Sequence, residues 1–321
     1  MADRYNGLLN VYKEAGWTSN DVVAKLRGIL KQKKIGHTGT LDPDAVGVLV
    51  VCLGSATSLT DMLTDHDKEY LAVCKLGVTT DTQDLSGTVT EELPVHVTPE
   101  EVRRVVRAFQ GDYEQIPPMY SAIKVNGRRL YTLARNGVEI ERKPRTVKIH
   151  AISVADTSAL ETDHTFVMEV RCSRGTYIRT LCHDIGQALG TGGAMAHLTR
   201  CAVADFRIEN ARTIGEIQAL SDAGHPEEAI LPVDRVFRDL DKIVFAGEAR
   251  KAAVNGNALR LNQLISFAPD REQDPMEAET LYKNEERVRL YDENGVFFGV
   301  YRYDAKRRVF QPEKFLYRAD A

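Results

Sequence analysis

The sequence predicts an α+β protein with a small, β-rich C-terminal domain. Apolar residues between Val22 and Leu30 recur at helical spacing, and Thr98-Pro99-Glu100-Glu101 combines the cap, the proline and the early acids of a helix start. From residue 165 to residue 172, apolar side chains occupy alternate positions, as in a half-buried strand. Near the C-terminus, apolar segments flank Asn294-Gly295, which predicts a β-hairpin.

Length and composition are typical of a globular protein large enough for two domains. The chain has 321 residues, of which 43% are hydrophobic and 27% charged. No apolar run reaches the roughly 20 residues that cross a bilayer, and the N-terminus does not read as a signal peptide, so we expect a cytoplasmic protein. The five cysteines are scattered without a C-x-x-C pair, which argues for reduced thiols and against structural zinc or a disulfide framework.

The formal net charge of -4 does not exclude a nucleic-acid partner, because basic residues are concentrated locally. The basic residues form two clusters: Lys31, Lys33 and Lys34; and Lys124, Arg128, Arg129, Arg135, Arg142, Lys143, Arg145 and Lys148. Acidic residues collect between positions 270 and 279. Either basic cluster alone is usually a solvated surface. One polarised face of the protein can nevertheless bind phosphate.

The N-terminal elements lead towards one glycine-rich loop. A short strand is predicted from Leu8 to Val11, and Thr18 or Ser19 is expected to cap the first helix. The chain then passes the first lysine cluster and enters Gly36-His37-Thr38-Gly39-Thr40-Leu41-Asp42-Pro43. The apolar run from Val46 to Leu53 should be buried behind this loop.

Further elements are predicted in the middle of the chain. A strand is expected from Lys68 to Leu76, and the helix that starts after Thr98 is expected to end at Gly111. Residues 117–124 should be extended, and Leu130, Tyr131 and Leu133 indicate a short helix that closes at Gly137.

After the strand at 165–172, a helical pattern runs to Gly190. If Tyr177 and Arg179 are still extended, their spacing of two directs both side chains into one cleft. A weak boundary around residues 231–241 divides the chain into a first domain at 1–238 and a second at 239–321. A polar, acidic surface insertion is expected at about 269–286.

The loop from Gly36 to Pro43 is the strongest candidate for a catalytic site. Gly36 and Gly39 can take backbone angles closed to other residues, and Pro43 disfavours a helical conformation at Asp42. A carboxylate on such a loop, with His37 nearby, suggests acid–base or nucleophilic catalysis. A surface turn is the ordinary alternative for an Asp-Pro pair.

Other motifs follow this loop in order: Lys68-Glu69-Tyr70, Pro118-Met119-Tyr120-Ser121-Ala122-Ile123-Lys124, Gly175-Thr176-Tyr177-Ile178-Arg179-Thr180 and Leu198-Thr199-Arg200. The ordered set resembles the TruB family of tRNA pseudouridine-55 synthases, from about residue 7 to residue 206. The chain departs from the family in having Tyr12-Lys13-Glu14-Ala15-Gly16 where Asp-Lys-Pro-x-Gly is common.

The resemblance implies a pseudouridine-synthase core, a mixed and mainly antiparallel sheet flanked by helices, with a small C-terminal PUA-like β-barrel that binds RNA. It also implies an RNA-clamping, thumb-like insertion at about 122–148. The implied reaction isomerises uridine 55 in the T loop of tRNA after base flipping, and it needs neither cofactor nor metal. The implied partner is the T stem-loop of tRNA, bound by a monomer without an obligate protein partner.

The resemblance makes Asp42 the nucleophile, which adds to the ribose C1′ or to the base, or assists elimination through a glycal; the sequence leaves these three routes open. Arg179 is the implied partner that keeps Asp42 charged and oriented. Tyr70 is implied to stack on the target base and to help move the C5 proton. Tyr177 would pack beside Asp42 and Arg179, and Leu198 would line the uracil pocket.

Two further residues are assigned to the substrate region. His37 is implied to contact RNA and fill the space of the flipped uridine, although its proximity to Asp42 first suggests a general base. Lys13 is interpreted as a scaffold residue more than an acid or a base. Phosphate contacts are expected from Lys31, Lys33, Lys34, Lys124, Arg128 and Arg129.

Two other functions fit parts of the sequence. Asp42-Pro43-Asp44-Ala45-Val46 fits the motif of haloacid-dehalogenase-type, magnesium-dependent phosphatases, but that motif should follow a hydrophobic strand directly. A tRNA-binding or folding chaperone without essential catalysis is the alternative from a different class.

Overall fold

A computed structural model describes residues 4–121, 124–125, 128–135, 137–138, 140–266 and 282–317. Its helices are α1 (Ser19–Leu30), α2 (Thr60–Thr64), α3 (Pro99–Ala108), α4 (Leu130–Arg135), α5 (Leu160–Asp163), α6 (Ile178–Ala188), α7 (Ile214–Asp222) and α8 (Arg250–Ala253). Its strands are β1 (Gly7–Lys13), β2 (Ile35–His37), β3 (Val46–Leu53), β4 (Lys68–Leu76), β5 (Val78–Thr80), β6 (Val89–Glu92), β7 (Gly111–Gln115), β8 (Lys124–Val125), β9 (Arg128–Arg129), β10 (Arg145–Asp156), β11 (Thr165–Cys172), β12 (Gly193–Val203), β13 (Phe206–Arg207), β14 (Asp241–Phe245), β15 (Leu259–Arg260), β16 (Leu264–Ser266), β17 (Arg287–Tyr291), β18 (Phe297–Asp304) and β19 (Val309–Phe315).

A large sheet organises the N-terminal part of the molecule. Its strand order is β1-β3-β12-β4-β11-β10-β7, with β2 paired to β3 and β13 paired to β12. Among the described strands of this sheet, β3 and β12 are the one parallel pair. Helices α1 and α7 pack against β1 and β3, whereas α3 and α6 pack against the part that contains β4, β11 and β12. The predicted α+β fold with a mixed, mainly antiparallel sheet is confirmed.

Local sequence signals explain how the helices start. Thr18, not Ser19, caps α1 and forms a capping box with Asp21, which decides between the two predicted caps. Thr98 and Glu101 form the equivalent box at α3, with proline in the first turn. This helix ends at Ala108, before the predicted stop, and Gly111 instead begins β7 with a φ of 113°.

Three strands of the large sheet were predicted from the sequence. β1, β4 and β11 coincide with predicted strands, and apolar side chains of β11 alternate inwards. β10 was not predicted, because its basic residues were interpreted only as part of a charge cluster. β12 was not predicted either, since it lies inside the sheet and lacks a simple alternation.

The C-terminal part forms a six-stranded sheet in the order β15-β19-β18-β17-β14-β16 within the described residues. Its end strands β15 and β16 are joined only by Leu261–Gln263, so the sheet nearly closes into the predicted small barrel. The expected hairpin joins β17 to β18 across Asn294-Gly295. Val300 and Leu316 of this part pack with Val48, Val50 and Phe206 of the large sheet.

Two predicted segments lie partly outside the described residues. Of the thumb-like insertion, the described portions include the β8–β9 hairpin, α4 and the start of β10. Of the acidic insertion, residues 269–281 are outside the described part, and Tyr282 is buried in the core of the barrel. Across the described chain, no helix has both the length and the hydropathy that a membrane span requires.

Candidate active site

The loop from Thr38 to Pro43 is held by hydrogen bonds to its backbone carbonyls. Thr64 Oγ1 donates to Thr38 O at 2.8 Å, and Ser19 Oγ donates to Leu41 O at 3.3 Å. Arg200 donates to Gly39 O at 3.2 Å and to Thr40 O at 3.3 Å. The conformation of the loop is therefore set by the side chains packed behind it.

Lys13 holds the C-terminal end of this loop. Its side chain is fully buried, and Nζ donates to Glu14 O at 3.0 Å, Trp17 O at 2.7 Å and Pro43 O at 2.8 Å. All three ammonium protons thus have backbone acceptors. Burial lowers the pKa of Lys13 to about 8. This is the geometry of a scaffold residue, and it leaves no donor of Lys13 for a substrate.

The expectation that Gly36 and Gly39 use angles closed to other residues is wrong. Neither has a positive φ, and a Cβ at Gly39 would meet its nearest neighbour, Arg200, at an ordinary 3.7 Å. The loop therefore does not depend on left-handed backbone at these two positions. Gly16, which donates its N–H to Pro43 O, does adopt a φ of 82°.

Asp42 and Arg179 form the two-pronged ion pair that was expected from the sequence. Arg179 Nε lies 3.0 Å from Asp42 Oδ2, and Nη2 lies 3.5 Å from Oδ1. The Arg179 side chain is 7% exposed and that of Asp42 is 40% exposed. Arg179 also donates to Thr82 O at 3.0 Å and to Tyr120 O at 2.8 Å, which fixes its plane. A rigid, buried cation therefore orients a carboxylate that remains open to solvent.

The backbone around Arg179 differs from the extended conformation that was considered. Arg179 is the second residue of α6, and only Tyr177, which caps the helix, is extended. Gln115 holds the backbone of Tyr177 through bonds of 2.8 and 2.9 Å. Burial raises the pKa of the Tyr177 hydroxyl, while the charges of Arg179 and Asp42 also act on it. The helix start, not a continuous strand, brings these groups together.

Tyr70 and Leu198 reach the site from neighbouring strands of the sheet. Tyr70 on β4 lies opposite Arg200 on β12, and Leu198 lies opposite Ala72. The register therefore places Tyr70, Leu198 and Arg200 on one face. Tyr70 and Leu198 are each 8% exposed and belong to the same apolar cluster as Leu41. Burial raises the pKa of Tyr70 to about 12, so this phenol is neutral near pH 7.

His37 lies on β2, opposite Val51, and is partly buried. Within the described residues, its buried Nδ1 atom has no hydrogen-bond partner. Burial, followed by the charge of Arg200, lowers the pKa of His37, which favours a neutral imidazole. Among the described contacts, no hydrogen bond joins His37 to Asp42, so the structure gives no support to the general-base interpretation.

Asp84 is a site residue that was not identified from the sequence. Its Oδ2 lies 3.5 Å from Arg179 Nη1, and its side chain is 15% exposed. Thr82 Oγ1 donates to Asp84 Oδ1 at 2.7 Å, and the Ser86 N–H donates to the same atom at 3.0 Å. The polar run Asp81-Thr82-Gln83-Asp84 was the available signal, but polar turns are common and nothing local connects this one to Arg179.

The first basic cluster lies on the turn between α1 and β2, next to the Asp42 loop. Lys31, Lys33 and Lys34 are exposed, and none forms an ion pair with a described carboxylate. Lys124, Arg128 and Arg129 lie on the β8–β9 hairpin. The side chains of these three residues are outside the described part of the structure.

Comparisons with known proteins identify the family of the chain. Residues 27–178 match the profile of the TruB family pseudouridylate synthase N-terminal domain, and residues 179–244 match the tRNA pseudouridylate synthase B C-terminal domain. The chain is 51% identical to tRNA pseudouridine synthase B of Lachnoclostridium phytofermentans over 96% of this chain and 99% of that protein. It is 38% identical to tRNA pseudouridine synthase B of Bacillus licheniformis over 97% of this chain and 98% of the relative.

Solved structures show the same fold. The chain superposes on a chain of a Cbf5-Nop10-Gar1 complex with a TM-score of 0.71 and 25% identity, over 98% of this chain and 86% of the other. The phosphatase alternative is not supported, because Thr38 to Leu41 separate Asp42 from the preceding strand. With the profiles matched and the Asp42–Arg179 pair in place, the chain belongs to the TruB family of tRNA pseudouridine synthases.

Proposed function

We propose that this protein isomerises uridine 55 in the T loop of tRNA to pseudouridine, with Asp42 as the nucleophile. The C1′–N1 bond of the uridine breaks and a C1′–C5 bond forms; C5 then loses its proton and N1 gains one. The number of atoms and the oxidation state do not change, so the reaction needs no redox partner.

The observation that carries this proposal is the two-pronged contact of Arg179 with Asp42. A carboxylate nucleophile must be ionised, and a bidentate guanidinium stabilises the ionised form. Because Arg179 is fixed by Thr82 O and Tyr120 O, its position does not depend on substrate. Asp42 can add to C1′, add to the base or assist elimination; all three routes use the same ionised, oriented carboxylate.

The residues around Asp42 provide surfaces suited to a flipped uracil. Tyr70 supplies a buried aromatic ring for stacking, and Leu198 supplies an apolar wall on the same sheet face. Tyr177 packs beside the ion pair. His37, partly exposed and with a lowered pKa that favours the neutral imidazole, is suited to contact RNA from the side of the loop.

Binding of tRNA would involve surfaces outside the pocket. Unstacking of the target base must be offset by other contacts, for which phosphates are available. The exposed Lys31, Lys33 and Lys34 lie on the turn that precedes β2, and the Asp42 loop follows β2. We assign residues 1–238 to catalysis, the insertion at 122–148 to clamping of the T stem-loop, and the barrel at 239–321 to RNA binding by a monomer.

The test is to incubate the protein with an unmodified tRNA transcript and to map pseudouridine by carbodiimide chemistry. We expect modification at the T-loop uridine with the wild type and none with Asp42→Asn. Absence of product with the folded wild type would refute the proposed activity. If Asp42→Asn also retained full function in cells, a chaperone role would explain the protein better than catalysis does.

A further inference from the structure

Arg200 is a buried cation to which the proposed reaction has so far given no role. The residue is 2% exposed. Within the described residues, no carboxylate lies at ion-pair distance from its guanidinium, and Asp42 acts on it only as a weaker, more distant charge. Burial of an unpaired guanidinium is costly. The hydrogen bonds of the Arg200 guanidinium must therefore offset the free-energy cost of its burial.

The guanidinium of Arg200 joins three parts of the site. Its Nε donates to Val48 O at 2.7 Å, on the strand that follows the catalytic loop. Its two terminal nitrogens donate to Gly39 O and Thr40 O within that loop. The planar fork therefore fixes the backbone two to three residues before Asp42.

The third part of the site beside the Arg200 guanidinium is Tyr70. Arg200 and Tyr70 lie directly opposite each other on β12 and β4, and the charge of Arg200 acts on the Tyr70 phenol. One rigid group therefore holds the loop that carries the nucleophile and lies beside the ring expected to stack on the base. Lys68 is also buried beside the loop, but it donates to Thr64 O and His66 O instead.

We propose that Arg200 is a positioning residue that fixes Tyr70 relative to Asp42, so that the stacked uracil and the carboxylate keep a reactive geometry. The inference rests on the proposed function, since it assigns Arg200 a role in that reaction. Arg200 acts through Tyr70 and the loop and touches no substrate itself. Its positive charge also stabilises negative charge on the phenol oxygen of Tyr70.

The test is a double-mutant cycle on the rate of a single turnover with saturating tRNA. Arg200→Lys retains the charge but cannot hold all the acceptors of the planar fork. We expect this change to slow the chemical step about tenfold when Tyr70 is present and less than about twofold in the Tyr70→Phe background, because contacting residues are energetically coupled. The dissociation constant for tRNA should change less than about twofold, since the role lies in the chemical step.

The matched control is Lys68→Met, which removes another buried cation beside the loop. Its effect should be additive with that of Tyr70→Phe, because the Lys68 ammonium donates to Thr64 O and His66 O, away from the Tyr70–Arg200 pair of β4 and β12. Additive effects of Arg200→Lys and Tyr70→Phe would overturn the inference. The inference would also be overturned if Lys68→Met showed the same coupling energy with Tyr70→Phe as Arg200→Lys does. The cycle would then report a general loosening of the site.

A spectroscopic measurement covers the case in which Arg200 variants do not fold. The guanidinium N–H signals of buried Arg200 should shift in Tyr70→Phe, which deletes the hydroxyl on the facing strand, and not in Tyr113→Phe, whose hydroxyl bonds to Asp184. Unchanged signals in Tyr70→Phe would overturn the inference. If the wild type forms no pseudouridine, the proposed function fails, and this measurement still reports on the contact. If the wild type is active and the cycle is additive, only the role of Arg200 fails.

Discussion

Arg179 lies between two carboxylates, with Nη1 3.5 Å from Asp84 Oδ2 and Nε 3.0 Å from Asp42 Oδ2. Different nitrogens make the two contacts. Asp84 is the less exposed of the two acids, and the loop that carries it also supplies Thr82 O to the same guanidinium. Asp84 therefore helps to set the position from which Arg179 orients Asp42.

Asp84→Asn tests this role, because the amide keeps the size of the side chain and removes its charge. We expect the single-turnover rate to fall about tenfold, as when a positioning interaction with a charged group is removed, with tRNA affinity unchanged. Asp81→Asn, in the same loop but with its carboxylate bonded to the Thr88 N–H, is the control and should remain near the wild-type rate. A wild-type rate for Asp84→Asn would show that the contact is incidental.

Arg179→Lys should lose most of the activity, at least about a hundredfold, because one ammonium cannot reproduce a bidentate contact and also bind two carbonyls. The measurement is the rate of pseudouridine formation under single-turnover conditions. Arg103→Lys is the control, because it makes the same arginine-to-lysine exchange on the exposed face of α3, away from the site. Near-normal turnover of Arg179→Lys would count against a catalytic role for the Asp42 pair.

The sequence predicted those parts of the fold that local signals encode. Capping residues marked the starts of α1 and α3, and alternation marked β11, because such features depend on a few neighbouring residues. β12 was missed because its apolar residues do not alternate regularly along the sequence. Its position was nevertheless essential, since it brings Leu198 and Arg200 next to Tyr70.

The sequence named several residues that the structure brings together, but it did not give their geometry. Family motifs identified Asp42, Arg179 and Tyr177, but the start of α6, not an extended segment, sets their arrangement. Asp84 was missed because its contact with Arg179 links residues far apart in the chain. The loop glycines were misinterpreted because the shape of the loop comes from donors such as Lys13 and Arg200, which no local rule reveals.

Lys13→Met should destabilise the protein, because it removes three hydrogen bonds to backbone carbonyls. We expect a decrease of about 2 kcal/mol in the free energy of unfolding at pH 7, measured with denaturant. The exposed Lys25→Met on α1 is the control and should change stability little. A Lys13→Met protein as stable as the wild type would contradict the scaffold role.

The difference in the free energy of unfolding between the wild type and Lys13→Met should also depend on pH. Burial lowers the pKa of Lys13 from 10.5 to about 8, so between these values the unfolded chain holds a proton that the folded protein has released. Stability rises with pH where the unfolded state binds more protons. The stability advantage of the wild type over Lys13→Met should therefore increase from about pH 8 to pH 10.5. If the difference in unfolding free energy stayed constant between about pH 8 and pH 10.5, it would contradict the lowered pKa of Lys13.

The lysines beside the catalytic loop should affect tRNA binding and not the chemical step. Lys33 and Lys34 are exposed and form no described ion pair, so their charges are available to phosphate. In the double variant Lys33→Gln, Lys34→Gln, the affinity for tRNA should fall. The slope of log K against log salt should become shallower by about one for each phosphate that the variant no longer neutralises. Turnover at saturating tRNA should be unchanged.

Arg104→Gln on the exposed surface of α3 is the control for these lysines, because it also removes a positive charge. Its salt slope should equal that of the wild type, since a general change in net charge leaves the number of neutralised phosphates unaltered. An unchanged slope in the lysine double variant would therefore assign RNA binding to other surfaces.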